Sequence, residues 1–397
     1  MYSKDELLTK AADIKPWLVE IRRDLHSHPE LGLEEYRTRD KIIEYLTEMG
    51  IPFEQDIAHT AVVGFIEGGI KGKTVALRAD IDALPITEMN QVEYKSQNIG
   101  KMHACGHDAH TTVLLGAAKL LNDNKKNLKG NVKLFFQPAE ETVGGAKPMI
   151  EAGVMENPKV DAVFGLHIAP DIPVGEIGVK YDQMNAASNS LAITIKGDSA
   201  HGAYPHNGTD AIVIASQVVT ALQTIVSRNV DPTQSAVITI GVIQGGTAAN
   251  IIADTVTMTG TVRTLDPEVR SYVLKRIEEV IAHTTQALGG SFTLEIEDGY
   301  NALINDNAMV DLVKQTGFDL LGEDKVHQLT LPSLGVEDFA FFAEAAPSAF
   351  YRLGCRNEAR GIVHGLHTNQ FDIDEDCLPL GAAIQALTVY NYLNEEK

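Results

Sequence analysis

The segment KMHACGHDAH, residues 101–110, concentrates side-chain types that bind metal ions. It carries three histidines, one cysteine and one aspartate in ten positions. Cys105 and His107 flank Gly106, and a glycine-containing turn can aim a thiolate and an imidazole at one cation. Asp108 near a helix N-terminus would equally suit a polar helix entrance. Two ligands alone do not make a metal site, so this hypothesis requires further ligands elsewhere in the chain.

Four carboxylates in two close pairs could complete the chemistry. Glu140 and Glu141 follow an apolar run, where a solvated strand end is the simple interpretation. A hydrolytic metal site, however, needs both a ligand carboxylate and a separate general base, and two successive glutamates can provide one of each. Asp80 and Asp82 would lie on one face of a strand, where a buried acidic pair is costly unless it is neutralised. Arg78 is the candidate partner.

Three histidines outside the first segment are further candidates. His167 lies in the apolar run AVFGLHI, where a histidine is more often a packed core residue than a ligand. His364 and His367 lie three residues apart in GIVHGLHTNQF. Either of these two could complete a site, and their spacing does not choose between them.

The elements that must position these residues follow from the hydrophobic periodicity. Apolar runs at 74–82, 131–141 and 162–168 predict strands that deliver carboxylates or a histidine, and the apolar spacing at 110–121 predicts a helix. Alternating strands and helices indicate an α/β layer. Because ligands bind beyond the carboxyl ends of the strands in open α/β sheets, the candidate residues should gather along one edge.

The middle of the chain has a different pattern, with elements in the order βαββαβ. The predicted strands are at 188–196, 235–244, 254–265 and 291–297, and the predicted helices are at 209–228 and 267–288. That order is the ferredoxin-like arrangement, a self-sufficient unit of two layers. The α/β pattern then resumes. The predicted domains are therefore 1–181 together with 301–397, and an inserted domain at 182–300.

Composition and charge restrict the classes of partner. Lys plus Arg number 33 against 54 Asp plus Glu, which gives a net charge of −21. Such a field repels phosphate backbones and anionic lipids, so neither a nucleic acid nor a membrane is an expected partner. The first residues lack the pattern of a secretory signal, and the expected location is cytoplasmic. Three widely spaced cysteines do not suggest a disulfide framework.

Six motifs taken together resemble one family of metal-dependent amidohydrolases. They are RDLHSHPELG (Arg23–Gly32), ALRADIDALP (Ala76–Pro85), MHACGHDAH (Met102–His110), FQPAEE (Phe136–Glu141), GLH (Gly165–His167) and SAHGAYP (Ser199–Pro205). The resemblance is to the branch of the zinc aminoacylase and carboxypeptidase superfamily that holds hippurate hydrolases, N-acyl-L-amino acid deacylases, bacterial carboxypeptidases and auxin-conjugate hydrolases. It implies a zinc-peptidase-like α/β catalytic domain interrupted by a smaller ferredoxin-like lid or dimerisation domain.

The resemblance also implies roles for individual residues. The residues at the positions that bind two metal ions are Cys105, His107, Glu141, His167 and His367. Glu140 matches the general base, and Asp82 matches an acid that orients a ligand, while Asp80 stands where other branches have a metal-binding histidine. His364 becomes the less favoured alternative to His367.

Three residues of the inserted domain match positions that contact the substrate. His201 matches a residue that stabilises the oxyanion, often in the active site of the neighbouring subunit. Asn250 and Arg263 match positions that hold the carboxylate of the substrate. The resemblance implies a homodimer formed through the inserted domain, or a tetramer built from such dimers.

The implied reaction is hydrolysis of the amide bond of an N-acyl L-amino acid, with an acetyl or aromatic acyl group, by a hydroxide that bridges two metal ions. Zinc is the expected metal, with manganese, nickel or cobalt as alternatives. A metallo-carboxypeptidase or dipeptidase acting on short peptides is the second hypothesis. A hydrolase with a cysteine nucleophile and a binding protein without catalysis are the remaining two, and retention of activity by a chelated enzyme would favour the former.

Overall fold

The computed structural model describes residues 2–394 and divides the chain into two compact units. Unit 1 comprises the residues up to Asp182, then Ile304–Leu331, and those from Asp338 onwards. Unit 2 comprises Gln183–Leu303 and Pro332–Glu337. The assignment of catalytic and of lid or dimerisation roles to the two parts of the chain stays a prediction.

The helices and strands of both units are numbered here in chain order. The helices are α1 Lys4–Asp13, α2 Lys15–Ser27, α3 Tyr36–Glu48, α4 His107–Asp123, α5 Ala146–Glu151, α6 Ala211–Thr224, α7 Pro267–Ala287, α8 Asn307–Leu321, α9 Ala340–Ala345 and α10 Cys377–Asn394. The strands are β1 Phe53–Gln55, β2 Val62–Glu67, β3 Ile70–Asp80, β4 Lys129–Gln137, β5 Ala162–Pro173, β6 Ile177–Val179, β7 Asp182–Asn185, β8 Ala187–Lys196, β9 Ala200–His201, β10 Ala236–Gly245, β11 Ile251–Ile252, β12 Thr255–Thr264, β13 Ser291–Asp298, β14 Leu303–Asn305, β15 Val326–Gln328 and β16 Ser348–Arg356.

Unit 1 is built on an eight-stranded sheet with the order β1-β2-β4-β3-β5-β16-β6-β15. Strand β3 pairs parallel with both β4 and β5, and β16 pairs parallel with β5. The carboxyl ends of these four strands therefore lie at one edge of the sheet. Strand β2 pairs antiparallel with β4 and extends the sheet away from this parallel centre. The predicted α/β layer is confirmed.

Helices α4 and α10 are buried along almost their whole length, and their apolar side chains belong to the core of unit 1. A helix that is apolar around most of its circumference is stable only inside a protein. Two examples are Val113 and Leu114, which point in different directions from α4 and are both fully buried. Helix α4, which begins at the candidate ligand His107, is thus packed inside the core.

The long strands and helices of unit 2 follow the order β8-α6-β10-β12-α7-β13, which is the predicted βαββαβ arrangement, and the short strands β9 and β11 lie in its connections. Its four-stranded sheet has the order β10-β12-β8-β13, and all neighbouring strands are antiparallel. Alternate residues of β8, namely Leu191, Ile193 and Ile195, are buried in a core that they share with α6 and α7. This sheet with two helices is a ferredoxin-like fold.

One helical segment of unit 2, Ala211–Asn229, is long and apolar enough to cross a membrane by length and composition alone. It consists of α6 and a π-helical turn at Ile225–Asn229. Ile214, Val218 and Leu222 of this segment are fully buried in the core of unit 2. The segment therefore has the role of a helix that covers one face of a sheet.

Candidate metal centre

The parallel strands of unit 1 deliver most of the candidate residues to one edge of the sheet. Strand β3 ends at Asp80, and Asp82 lies two residues further on. Strand β4 ends at Gln137, so Glu140 and Glu141 follow it directly. His167 lies in β5, next to the carboxyl end of β3. Asp82, Glu140 and Glu141 therefore lie beyond strand ends at this edge, as predicted, whereas His167 lies within β5.

A left-handed turn at Gly106 places the thiol and the imidazole of the first motif. Gly106 has a φ of 84° and is the N-cap of α4. A Cβ at this position would also lie 3.3 Å from the side chain of Ile168 and 3.5 Å from that of Phe371. Glycine adopts this conformation without a steric penalty. Cys105 therefore ends the preceding loop while His107 begins the helix, and both side chains are buried.

The side chains of Cys105, Glu141, His167 and His367 converge in unit 1. The Sγ atom of Cys105 lies 3.3 Å from Nε2 of His167 and 3.3 Å from Nε2 of His367. Nε2 of His367 in turn lies 3.1 Å from Oε1 of Glu141. Ligand atoms around one tetrahedral zinc ion are about 3.5 Å apart, given Zn–N and Zn–S bonds of ~2.0 and ~2.3 Å. The observed separations fit a shared cation.

These side chains form two overlapping sets of possible metal ligands. The sets are Cys105, His107 and His167, and Cys105, Glu141 and His367, with all ligand atoms of a set within 4.8 Å of one another. Cys105 is common to both. His364 belongs to no such set within residues 2–394, so His367 is the histidine of its pair that the structure brings to the cluster.

Asp82 holds both glutamates and one histidine in place. Its Oδ1 accepts a hydrogen bond from the backbone amide of Glu140 at 3.1 Å, and its Oδ2 accepts one from that of Glu141 at 3.0 Å. Nδ1 of His107 lies 3.2 Å from Oδ1 of Asp82. If Nδ1 carries the proton, Nε2 of His107 is left as the ligand atom. Nε2 is buried and has no hydrogen-bond partner among the described residues, which is expected of an atom that binds a metal ion.

Glu35 supports the same turn and was not predicted. Its Oε1 accepts a hydrogen bond from the amide of Ala139 at 2.9 Å, and its Oε2 accepts one from the hydroxyl of Thr60 at 2.6 Å. Ala139 has a φ of 59°, which is unfavourable for a residue with a Cβ. Burial raises the pKa of Glu35. This buried carboxyl group thus stabilises an unfavourable backbone conformation immediately before Glu140.

Two side chains, those of Arg78 and His110, contact the buried carboxylate of Asp80. Arg78 donates to its Oδ2 at 2.8 Å, which confirms the predicted partner. Nδ1 of His110 lies 2.6 Å from its Oδ1, while Nε2 of His110 accepts a hydrogen bond from the amide of Ile168 at 2.8 Å. His110 therefore joins β3 to the residue that follows His167. No local pattern in the sequence indicated this role for His110, although it lies one helical turn after His107.

The environment sets the protonation of the cluster. Burial raises the pKa of the Cys105 thiol well above its usual range, and the carboxylate of Glu141 adds to this effect. Burial lowers the pKa of His167 well below its usual range, so this ring is neutral. Burial alone would lower the pKa of His107 as well, but the carboxylate of Asp80 and its neighbours raise it to about 10. Binding of a cation therefore releases protons from Cys105 and His107.

The three predicted substrate contacts belong to unit 2, and the structure does not bring all of them together. His201 pairs with Ile251 between β9 and β11, and the amide of Gly202 donates to the carbonyl of Asn250 at 2.7 Å. His201 and Asn250 are therefore neighbours, and both are exposed. Arg263 lies near the carboxyl end of β12, whereas Asn250 precedes the amino end of this strand in the chain. Burial lowers the pKa of the Arg263 guanidinium.

Comparison with known proteins places this architecture in a family. The model of peptidase family M20/M25/M40 matches residues 76–391. This chain belongs to the M20/M25/M40 peptidase family. The match spans the three strand ends, the Gly106 turn and the His367 loop described above. Because the chain belongs to this peptidase family and brings possible metal ligands together in unit 1, it is a metal-dependent amidohydrolase.

Relatives within the M20/M25/M40 family match the chain over nearly its full length. The thermostable carboxypeptidase 2 of Saccharolobus solfataricus is 41% identical, with 98% of this chain and 99% of the relative covered. The N-acetyl-L-cysteine deacetylase of Bacillus subtilis is 44% identical, with 91% and 84% covered. A solved Bacillus subtilis structure, described as a dinuclear metal binding peptidase from the M20 family, has a TM-score of 0.85 and 35% identity, covering 96% and 99%. Together with the two ligand sets, this likeness supports two divalent metal ions.

Proposed function

We propose that the protein hydrolyses the amide bond of N-acyl L-amino acids, with acetyl or aromatic acyl groups, and that Glu140 is the general base. The observation that carries this proposal is the pair of ligand sets that share Cys105, with Glu140 beside them. Atoms of Glu140, Glu141 and His107 lie within 4.8 Å of one another. One carboxylate can therefore bind a cation while its neighbour moves a proton.

The proposed ligands are the five residues of the two sets, namely Cys105, His107, Glu141, His167 and His367. A thiolate with imidazole and carboxylate ligands suits Zn²⁺, and manganese, nickel and cobalt are the competing metals. When bound, two divalent cations supply Lewis acidity for the amide carbonyl and for the attacking water. Asp82 accepts a hydrogen bond from the backbone amide of Glu140 and so fixes its position. The carboxylate of Glu140 receives the proton of that water and passes it to the leaving amine.

The same site could act on a short peptide, which is the second candidate function. The sequence relative named as a carboxypeptidase supports it, whereas the relative named as a deacetylase supports the first. Both classes of substrate have a free carboxylate next to the cleaved amide. We assign this carboxylate to Arg263 and Asn250, and the oxyanion to His201.

A screen of substrates with metal analysis tests the proposed function. We expect the purified protein to contain about two divalent ions per chain and to release amino acids from acetyl, benzoyl or indole-acetyl amino acids faster than from dipeptides. A chelator should abolish turnover, and added zinc should restore it. A thiol nucleophile would instead survive the chelator, and the high pKa of Cys105 argues against that reaction. Faster cleavage of dipeptides would favour the carboxypeptidase function.

The placement of the substrate contacts supports a homodimer formed through unit 2. Strand β12 runs from Thr255, which lies five residues after Asn250 in the chain, to Arg263 near its carboxyl end. At ~3.3 Å per residue, Thr255 and Arg263 are about 26 Å apart, which is longer than an acyl amino acid. One copy of unit 2 therefore supplies Arg263 to one substrate, and we assign His201 and Asn250 to the substrate of the partner.

The surface of unit 2 provides a candidate interface for this dimer. Strand β10 is at an edge of the sheet, and its Val242 and Ile243 are exposed. Ile212 and Val213 of α6 are exposed as well. An edge strand flanked by apolar side chains is a typical template for pairing with a second chain. Assembly of such dimers into a tetramer, and the cytoplasmic location, stay predictions.

Mixed dimers test whether His201 acts across the interface. The variants Glu140→Gln and His201→Ala should each have a low kcat. If His201 serves the partner's site, one site of a mixed dimer keeps both residues, so random pairing restores ~25% of wild-type activity per chain. Co-expression with two different affinity tags isolates the mixed dimer. No recovery in that fraction would place His201 in the site of its own chain, and a wild-type kcat of the His201→Ala homodimer would place His201 outside the reaction.

A further inference from the structure

Behind the ligand cluster lies a buried ionic network centred on Arg22 of α2. The Arg22 side chain is fully buried. Its Nε donates to Oδ2 of Asp108 at 3.0 Å, and its Nη2 donates to Oδ1 of Asp372 at 2.8 Å. The ring of Tyr94 lies against the guanidinium, 4.8 Å from its carbon to the ring centroid. A buried guanidinium is costly unless it is paired, so this arginine strongly favours the conformation that keeps both carboxylates in contact with it.

The two carboxylates belong to the two chain segments that deliver ligands. Asp108 directly follows His107 in the first turn of α4, and Asp372 lies five residues after His367. These segments are far apart in the sequence, and Arg22 belongs to a third. His26, one helical turn after Arg22, also contacts Asp108, with its Nδ1 at 2.7 Å from Oδ2. A single guanidinium therefore joins the segment that contains His107 to the segment that contains His367.

The segment with His367 needs such support because its backbone is strained. His367 has a φ of 60°, which is unfavourable for a residue with a Cβ. Its amide donates to the carbonyl of Ala104 at 2.8 Å, and the side-chain amide of Asn90 donates to the carbonyl of Phe371 at 2.8 Å. Strained conformations persist at functional sites only where the surrounding contacts determine them. The bond from Arg22 to Asp372 fixes the far end of this segment.

We propose that Arg22 is a positioning residue for the metal centre, which holds the His367 segment against the Cys105–His107 turn. The proposal rests on the proposed metal-dependent function, because it requires that these residues bind the ions. It gives a role to Arg22, which directly precedes the motif Arg23–Gly32 and is not itself a candidate ligand. Arg22 acts through Asp108 and Asp372 and does not itself contact a substrate or an ion.

Metal affinity distinguishes this role from a contribution to stability alone. Arg22→Met removes the charge and the fork geometry, while Arg22→Lys keeps the charge. We expect Arg22→Met to bind the ion of the Cys105, Glu141 and His367 set about 10–100-fold more weakly, the effect typical of residues that support metal ligands. Arg22→Lys should fall between this variant and the wild type. Competition with a fluorescent chelator measures these affinities on folded protein, without reference to activity.

Two milder variants keep the proposal falsifiable if Arg22→Met fails to fold. Tyr94→Phe removes only the hydroxyl that donates to Oδ2 of Asp372 at 2.8 Å, and Asp372→Asn removes one charge with little change of shape. Both variants should bind one of the two ions with lower affinity than the wild type. Arg37→Met is the matched control, because Arg37 pairs with Asp24 at 2.7 Å, half-exposed on the protein surface. This control should keep wild-type affinity for both ions.

The outcomes separate this proposal from the proposed function. Unchanged affinity for both ions in every folded variant of Arg22, Tyr94 and Asp372 would overturn the positioning role and leave the metal centre intact. A lower melting temperature with unchanged affinity would show a structural role alone and would overturn it equally. A wild-type protein that binds no divalent ion would instead refute the proposed function itself.

Discussion

Replacement of Glu140 by glutamine should lower kcat by about 10²–10⁴-fold while the protein keeps its fold and its metal, because general base catalysis contributes a factor of this size. Glutamine has the shape of glutamate but cannot take up a proton. The backbone amide of residue 140 would still donate to Asp82, so the turn keeps its geometry. Stopped assays with an N-acyl amino acid, metal analysis and thermal melting together check this expectation.

Glu141 is the matched control for this variant, since it is the same residue type in the same turn. Its Oε1 lies 3.1 Å from Nε2 of His367 and 3.9 Å from Nε2 of His107, where a cation would be shared. Glu141→Gln should therefore lose metal, and added metal should restore part of its activity. Glu140→Gln should not respond to added metal. Wild-type rates in Glu140→Gln, or equal metal loss in both variants, would contradict the division of roles between the two glutamates.

Replacement of Cys105 by alanine should remove metal from both ligand sets at once, because its sulfur belongs to both. The expected loss of affinity exceeds the ~10–100-fold effect of mutating a residue that only supports a ligand. Activity should fall to the background rate. Metal analysis after dialysis, followed by titration with zinc, measures the effect.

Cys355 provides the comparison for this variant, since it is also a buried thiol of unit 1. It lies in β16 and belongs to neither ligand set. Cys355→Ala should lower the melting temperature through the small cavity that it leaves, yet keep both ions and full activity. If Cys105→Ala retained two ions and turned over normally, the metal centre would have to be built from other residues.

The course of the chain in both units was largely predictable from local pattern. The prediction of a helix at 110–121 and of a strand at 188–196 agrees with α4 and β8, because apolar periodicity reports burial directly. Predicted ends differ by a few residues. Helix α4 begins three residues earlier, since Gly106 can adopt the left-handed turn that starts it.

The residues that support the candidate ligands were much harder to predict. These supporting residues contact groups that are distant in the sequence. Glu35 and Thr60 are 25 residues apart, and Arg22 and Asp372 are 350 residues apart. His110 likewise contacts Asp80, 30 residues away. Periodicity carries no information on which distant side chains meet. The sequence could not decide between His364 and His367 for the same reason, because only the folded loop shows which ring lies next to Cys105. The position of Arg263 relative to Asn250 likewise depended on the sheet register.

Because one sulfur belongs to both ligand sets, a chemical change of that single atom would affect both sets. Oxidation of that one atom by peroxide to a sulfenic acid would replace a soft anionic donor by a weaker one at both ions together. An aspartate in its place would be immune to such damage. The side chain of Cys105 is almost wholly shielded from solvent, and this shielding protects the sulfur against oxidation.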